Sequence, residues 1–206
     1  MEHEKTPAAD KSWLSLSGRA KEIASTILLL AAAILVAFSI TRFVVQSYQV
    51  EGQSMETTLQ NNDRLIVDKL PRTLARLTGH SYIPRRADII IFNQAGLSFG
   101  SNKDKQLIKR VIGLPGERLV VKDGMLTIYD AAHPGGYEPD KTGLYHIDSP
   151  VTPGSVNLTL RPGEVFVCGD NRGNSEDSRY FGPVNTNKIV GKLVLRIFPL
   201  GKTQTY

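Results

Sequence analysis

The sequence predicts a mainly β protein: an antiparallel β core with a small inserted subdomain, carried behind one N-terminal membrane-spanning helix. Three observations predict it. Ile23–Thr41, "IASTILLLAAAILVAFSIT", is a run of 19 residues without a charge. Beyond residue 46 the apolar residues come in short bursts of strand length, punctuated by Pro and Gly. Between two of those bursts lies Lys122-Asp123-Gly124, a hairpin signal.

The helix comes first in the chain. As an α-helix the uncharged run spans about 28 Å, close to the hydrocarbon thickness of a bilayer. A cleaved signal peptide has a shorter apolar region of about 7–15 residues. A buried helix of a soluble domain is disfavoured by the position of the run near the N-terminus together with its all-round apolarity. Lys5, Lys11, Arg19 and Lys21 precede the run and Arg42 follows it. The positive-inside rule then puts residues 1–22 in the cytoplasm, a helix over 23–45 in the plasma (inner) membrane, and residues 46–206 outside as one extracytoplasmic domain.

The strands follow. "DRLIVDK" alternates and breaks at Pro71; "ADIIIF" is a short apolar run; "QLIKRVIGLPGE" begins as a strand and ends in a Pro-Gly turn. "RLVVKDGMLTIYD" is a hairpin, and "EVFVCGD" and "GKLVLRIFPL" complete the set. Thr73–Gly79 hints at a short helix. Asn93–Asp104 and Ala131–Pro162 are rich in Gly, Pro, Asn and Asp, and residues 122–163 are expected to form the inserted subdomain.

Composition narrows the function. The formal net charge is +5, with no dense Lys/Arg run and no interleaving of basic and aromatic residues, so nucleic-acid binding is not expected. Cys168 is the only cysteine, so no intramolecular disulfide can form. The four histidines are scattered, and neither a metal site nor a cofactor is expected. Nothing signals oligomerisation, and a monomer is expected.

Chemistry concentrates in three stretches. In "VEGQSMETTLQ", Ser54 follows Gly52 and lies nine residues beyond Val45, a reach of at most about 30 Å, so it is tethered near the outer membrane face. It is either a turn residue or a nucleophile. In "LIKRVIG", strand alternation puts Lys109 with Leu107 and Val111, and Arg110 with Ile108 and Ile112. Either the lysine snorkels outward from an edge strand, or it is buried. Burial would lower its pKa and make it a general base for Ser54 at neutral pH. The third stretch, "GDNRGNSEDSRYFGPV", is polar enough to be a solvated loop or the scaffolding of a site.

Together "GQSMETTL", "DRLIVDK", "KRVIGLPGE" and "GDNRGNSEDSRYFG", in that order behind one membrane helix, resemble the type I signal peptidases. These are membrane-anchored Ser-Lys proteases that remove signal peptides from exported preproteins. The resemblance implies Ser54 as nucleophile, Lys109 as general base and Ser175 as a hydroxyl that bonds and orients the lysine. It also implies Asp177 and Arg179 as supporting charges, an Asp170–Arg110 pair, and substrate cleavage after Ala-X-Ala through an acyl-enzyme. The substrate adds as a strand, and the pocket walls are expected at Val50, Met55, Leu107 and Ile108. The implied partners are signal peptides and the lipid bilayer. Thr57 stands where the family reads Pro, and Gly52 stands where some members carry an oxyanion-donating hydroxyl. The alternative reading is the same membrane scaffold without catalysis. A self-cleaving repressor with a Ser-Lys core would need a DNA-binding domain and no membrane helix.

Overall fold

The computed structural model describes residues 18–95, 105–147, 149 and 151–206. The expectations for the first 17 residues and for most of the 93–104 loop lie outside these. The chain divides into two units, residues 1–41 and 42–206.

In the first unit α1, Gly18–Ser39, is followed by a π-helical segment that runs from Ile40 into the second unit. The stretch Ala20–Val44 contains an apolar window of mean hydropathy 2.6, none of it buried within the protein. Apolar side chains exposed all round are what a helix in lipid presents. Val45, the expected last residue of the helix, is instead the first residue of a strand.

The second unit is built on one antiparallel sheet. Its strands are β1 (Val45–Gln49), β2 (Arg64–Asp68), β3 (Ile89–Gln94) and β4 (Lys105–Gly113). A second sheet holds β5 (Arg118–Lys122), β6 (Met125–Tyr129) and β7 (Val156–Thr159). The chain then returns through β8 (Glu164–Cys168), β9 (Val184–Asn185), β10 (Ile189–Phe198) and β11 (Gln204–Thr205). The spatial order of the large sheet is β1-β2-β10-β3-β4-β8-β9, with β11 on β10; the small sheet is ordered β6-β5-β7. The small sheet takes in Arg118–Lys122, ahead of the expected start of the subdomain at 122.

Local sequence explains the elements. Ile89, Ile90, Ile91 and Phe92 are all buried, as a central strand covered on both faces requires. The β5–β6 hairpin turns on Asp123 and Gly124, both at positive φ (52° and 79°), the demand of a type I′ turn. Helix α2, Leu70–Leu77, starts three residues earlier than the sequence suggests, because Pro71 sits in its first turn, where a missing N–H costs nothing. A one-turn helix α3, Ser178–Phe181, follows Asp177, whose side chain accepts from the Arg179 N–H as an N-cap.

One buried cluster lies between the sheets, with Ile112, Leu119, Leu126, Ile128 and Phe166. A second holds Ile90, Phe92, Val111, Val167 and Ile189. A third gathers Val50, Met55, Leu59, Leu65, Ile89 and Leu193 beneath the β1–β2 connection.

Candidate active site

Residues 50–63 connect β1 to β2 as a loop pinned at its base and from below. The Val50 N–H donates to the Asp63 carbonyl (2.9 Å) and the Asn62 N–H to the Val50 carbonyl (2.9 Å). Met55 and Leu59 drop into the core, and the Leu59 N–H closes a helical turn on the Met55 carbonyl (2.8 Å). Ser54 stands just before this anchor, at the rim of a groove of about 600 Å³. The loop that follows β8 holds Ser54 from the far side: the Asn171 N–H donates to the Ser54 carbonyl (3.1 Å) and its Nδ2 to the Gln53 carbonyl (3.3 Å).

Lys109 rises from β4, paired with Ile90 of β3. Its Nζ donates to Ser54 Oγ at 2.7 Å and to the Ile108 carbonyl at 3.0 Å. The residue is 3% exposed. Among the described residues no carboxylate reaches ion-pair distance of Nζ. Burial therefore dominates, with the charge of Lys105 adding to it, and the ammonium pKa falls to about 8 against the opposing pull of Asp177. Of the two readings of Lys109, the structure has the buried one.

The polar loop is mostly frame. Arg110 clasps Asp170 through Nε–Oδ1 (2.8 Å) and Nη2–Oδ2 (2.6 Å), and its remaining donors reach the Ala87 carbonyl and Thr58 Oγ1. Asp177 accepts from the Gly169 N–H and from Arg179 Nε and Nη2. All four side chains are buried, and their fork geometry satisfies both partners.

Two expectations fail in detail. Ser175 is buried beside the site, but its Oγ makes no bond to Lys109 and has no hydrogen-bond partner among the described residues. It packs on Gly169: a Cβ there would meet Ser175 Oγ and the Ser54 carbonyl at 2.3 Å each. Met55 is not a groove wall, because its side chain is the core anchor of the loop. Val50, Leu107 and Ile108 do line the groove, together with Tyr48, Gln53, Asn174 and Glu176.

Sequence reasoning missed Gly169, whose lack of a side chain lets the two loops touch, and Asp140. Arg172, 1% exposed, holds Asp140 through both Nη atoms (2.6 and 2.7 Å) and the Gly169 carbonyl through Nε (3.0 Å). This ties the β6–β7 connection to the loop behind Ser54. A buried arginine needs a carboxylate, but nothing in the sequence says which one. Among the described residues no group of three or more His, Cys, Asp or Glu could hold a metal.

This geometry meets clear relatives. The model of the family described as signal peptidase, peptidase S26, matches residues 23–198. A signal peptidase I of Bacillus caldolyticus is 36% identical over 178 residues, 81% of this chain and 87% of that one. A signal peptidase IB of Staphylococcus aureus (strain COL) is 28% identical over 193 residues, 88% of this chain and 93% of that one. A solved structure of a signal peptidase I from Enterococcus faecalis V583 is 33% identical, covering 54% of this chain and 97% of that one, with a TM-score of 0.34. At that score the fold assignment rests on the strands themselves. The class is thus a hydrolase, a peptidase whose N-terminal apolar helix fits a membrane anchor. The chain belongs to the signal peptidase family, peptidase S26, and that membership supports cleavage of signal peptides.

Proposed function

We propose that this protein is a membrane-anchored endopeptidase that cuts N-terminal signal peptides from exported preproteins after Ala-X-Ala, by a Ser54–Lys109 dyad. The observation that carries the reading is the 2.7 Å contact between Ser54 Oγ and a buried, carboxylate-free Lys109 Nζ on the floor of the groove.

The substrate strand has a place to go. β4 pairs with β3 along Lys105–Arg110, but with β8 only from Arg110 onward. Among the described residues its edge at Lys105–Lys109 therefore faces the groove unpaired, with residues 50–53 opposite. An extended peptide laid there completes the ladder by β-augmentation. Val50, Leu107 and Ile108 offer it apolar walls suited to small side chains.

The chemistry then runs in two halves. Neutral Lys109 takes the Ser54 hydroxyl proton as Oγ attacks the scissile carbonyl carbon. The ammonium returns that proton to the leaving amine, the peptide C–N bond breaks, and the signal peptide remains as an ester on Ser54. Water, deprotonated by Lys109, hydrolyses the ester and frees Ser54. The oxyanion falls to backbone donors, the Ser54 N–H among them; the Gly52 N–H is already engaged by Asn61 Oδ1 (3.0 Å). Thr57, exposed and outside the groove, does not touch the dyad. In this reading residues 1–22 lie in the cytoplasm and the β domain outside.

The test is cleavage of a vesicle-bound preprotein ending its signal peptide in Ala-X-Ala, beside Ser54→Ala. Cleavage by the parent alone, with an acyl-enzyme on Ser54 seen by mass spectrometry after rapid acid quench, is the expected result. Equal cleavage by both proteins would overturn the dyad. No cleavage by the folded parent would favour the non-catalytic scaffold.

A further inference from the structure

An irregularity in β10 turns a second arginine toward the Ser54 loop. Leu193 of β10 stands opposite Val67 of β2, but Leu195 stands opposite Ile66, a slip of one residue. Without it Leu195 would face Leu65; with it Arg196 does. Cross-strand partners share a face of the sheet. Leu65 packs beneath the loop with Met55 and Leu59. The bulge therefore puts a guanidinium under the loop, where plain alternation would put a leucine. Arg196 is 8% exposed. Its Nη1 donates to the Thr58 carbonyl (2.9 Å) and to Asp63 Oδ2 (3.2 Å), its Nε to the Lys202 carbonyl (2.8 Å) and its Nη2 to Gln204 Oε1 (3.0 Å). Tyr206 Oη donates to the same Thr58 carbonyl (3.3 Å).

The side chain of Thr58 faces the other way, toward β4. Its Oγ1 accepts from Nη2 of Arg110 (3.2 Å), the residue after Lys109. Thr58 itself lies inside the turn that the Leu59 N–H closes on the Met55 carbonyl, directly after Ser54. These contacts close a ring. Ser54 Oγ meets Lys109 Nζ, Lys109 leads along the strand to Arg110, Arg110 meets Thr58, and the turn leads back to Ser54. The strand and the turn are fixed by their own backbone bonds, and Arg110 is held by Asp170. The bond between Thr58 and Arg110 is then the link that sets the remaining one, between Ser54 and Lys109.

We infer that Thr58 is a positioning residue of the proposed dyad, clamped between Arg110 and Arg196 so that Ser54 Oγ stays at bonding distance from Lys109 Nζ. Thr58 lies outside the groove, so its part is in the geometry of attack and not in holding substrate. A misplacement of about 1 Å can cost about a hundredfold in rate. The inference deepens the peptidase reading and rests on it, and a second readout that needs no cleavage keeps the two apart.

The experiment uses the full chain in detergent. Thr58→Val keeps the shape and the carbonyl but loses the hydroxyl; Thr58→Ser restores it. Both are compared with the parent under conditions where circular dichroism shows all three folded. On a preprotein ending its signal peptide in Ala-X-Ala, Thr58→Val is expected to lower kcat about tenfold or more with KM within about twofold, and Thr58→Ser to recover most of the loss. The second readout is the titration of Lys109, followed by NMR of protein whose lysines are carbon-13-labelled at Cε, with the resonance assigned by its loss in Lys109→Met. Burial is the main cause of the Lys109 pKa of about 8. A loosened loop lets water reach Nζ, so Thr58→Val should move the titration upward, toward 10.5. The other groups that act on Nζ through their charge, Lys105, Cys168, Glu176 and Asp177, are unaltered in that variant. Arg196→Lys puts one ammonium in place of the guanidinium fork and should shift both quantities in the same directions, by less. A merely structural role would lower the melting temperature of Thr58→Val and leave kcat and the titration at the parent's values, and that result would overturn the inference. So would an equal loss of kcat in Thr58→Ser. Parent values in Arg196→Lys would remove Arg196 from the clamp. A parent that does not cleave would sink the peptidase reading, and the Lys109 titration alone would then decide whether Thr58 positions the pair.

Discussion

Lys109 and Arg110 are neighbours on β4, and the two faces of that strand treat a buried cation in opposite ways. Arg110 is 6% exposed and lies in a complete frame, with a bidentate carboxylate and two further acceptors. Its charge is matched where it sits. Lys109, 3% exposed, meets a hydroxyl and a carbonyl but, among the described residues, no carboxylate. Burial of an unmatched ammonium costs free energy, and the group answers by releasing its proton more readily. The frame holds the loops; the groove floor keeps a strained base. The other two buried pairs of the polar loop, Arg172–Asp140 and Arg179–Asp177, follow the Arg110 pattern. Among the described residues, the buried carboxylates of the polar loop pair with arginines, and none pairs with Lys109, which touches the Ser54 hydroxyl.

The comparison can be broken by substitution. The largest effect is expected on the groove side. Ser54→Ala and Lys109→Met should each lower kcat/KM on a preprotein by about a thousandfold or more, with the circular dichroism of the domain retained. Residual cleavage near the parent level in either would remove the dyad.

On the frame side the effect is on stability. Arg110→Met leaves the Asp170 carboxylate buried without its partner. It should cost about 3–5 kcal/mol in denaturant unfolding. Lys109→Met should have the opposite sign. A folded pKa of about 8 against 10.5 unfolded means that the folded state binds fewer protons between those values. The cost of burying Lys109 is therefore full below pH 8 and fades as pH rises toward 10.5. Lys109→Met should stabilise the domain at pH 7 by up to about 3 kcal/mol, and by progressively less above pH 8. A destabilised Lys109→Met would show that the lysine is matched after all.

Gly169→Ala sharpens the link between the two sides. Its Cβ would meet the Ser54 backbone carbonyl at 2.3 Å. Overpacking of that kind costs about 1–3 kcal/mol and should displace the Ser54 loop, so cleavage falls further than stability does. The smallest effect concerns pH. A base that must be neutral predicts a kcat/KM rising with pH through about 8. Lys105 lowers the Lys109 pKa through its charge, so Lys105→Gln should move that limb slightly upward in pH. A downward shift would contradict the assignment of the limb to Lys109.

Much of this was legible in the sequence, and the particular residues show why. The apolar span, the strand of Ile89–Gln94 and the Asp123-Gly124 turn are local patterns, set by side-chain period and backbone preference alone. The two short strands β1 and β7 were harder: "VQSYQ" has no apolar alternation, and "VNLT" lies in a stretch rich in turn residues. Their edges are stabilised by partners, β2 and β5, rather than by their own composition. The resemblance of the polar blocks pointed to Ser54 and Lys109, but their contact joins residues 55 apart. Whether Lys109 was buried or exposed depended on what closed over β4. The same holds for Met55, drawn into the core instead of the groove, for Ser175, packed on Gly169 instead of bonded to the lysine, and for Asp140, matched to Arg172 across 32 residues. Sequence by itself determined the elements and their chemistry, because periodicity and turn preference act over a few residues. Only the tertiary structure decided which groups lost their water and which found a partner, because desolvation is a property of the surroundings and not of the residue.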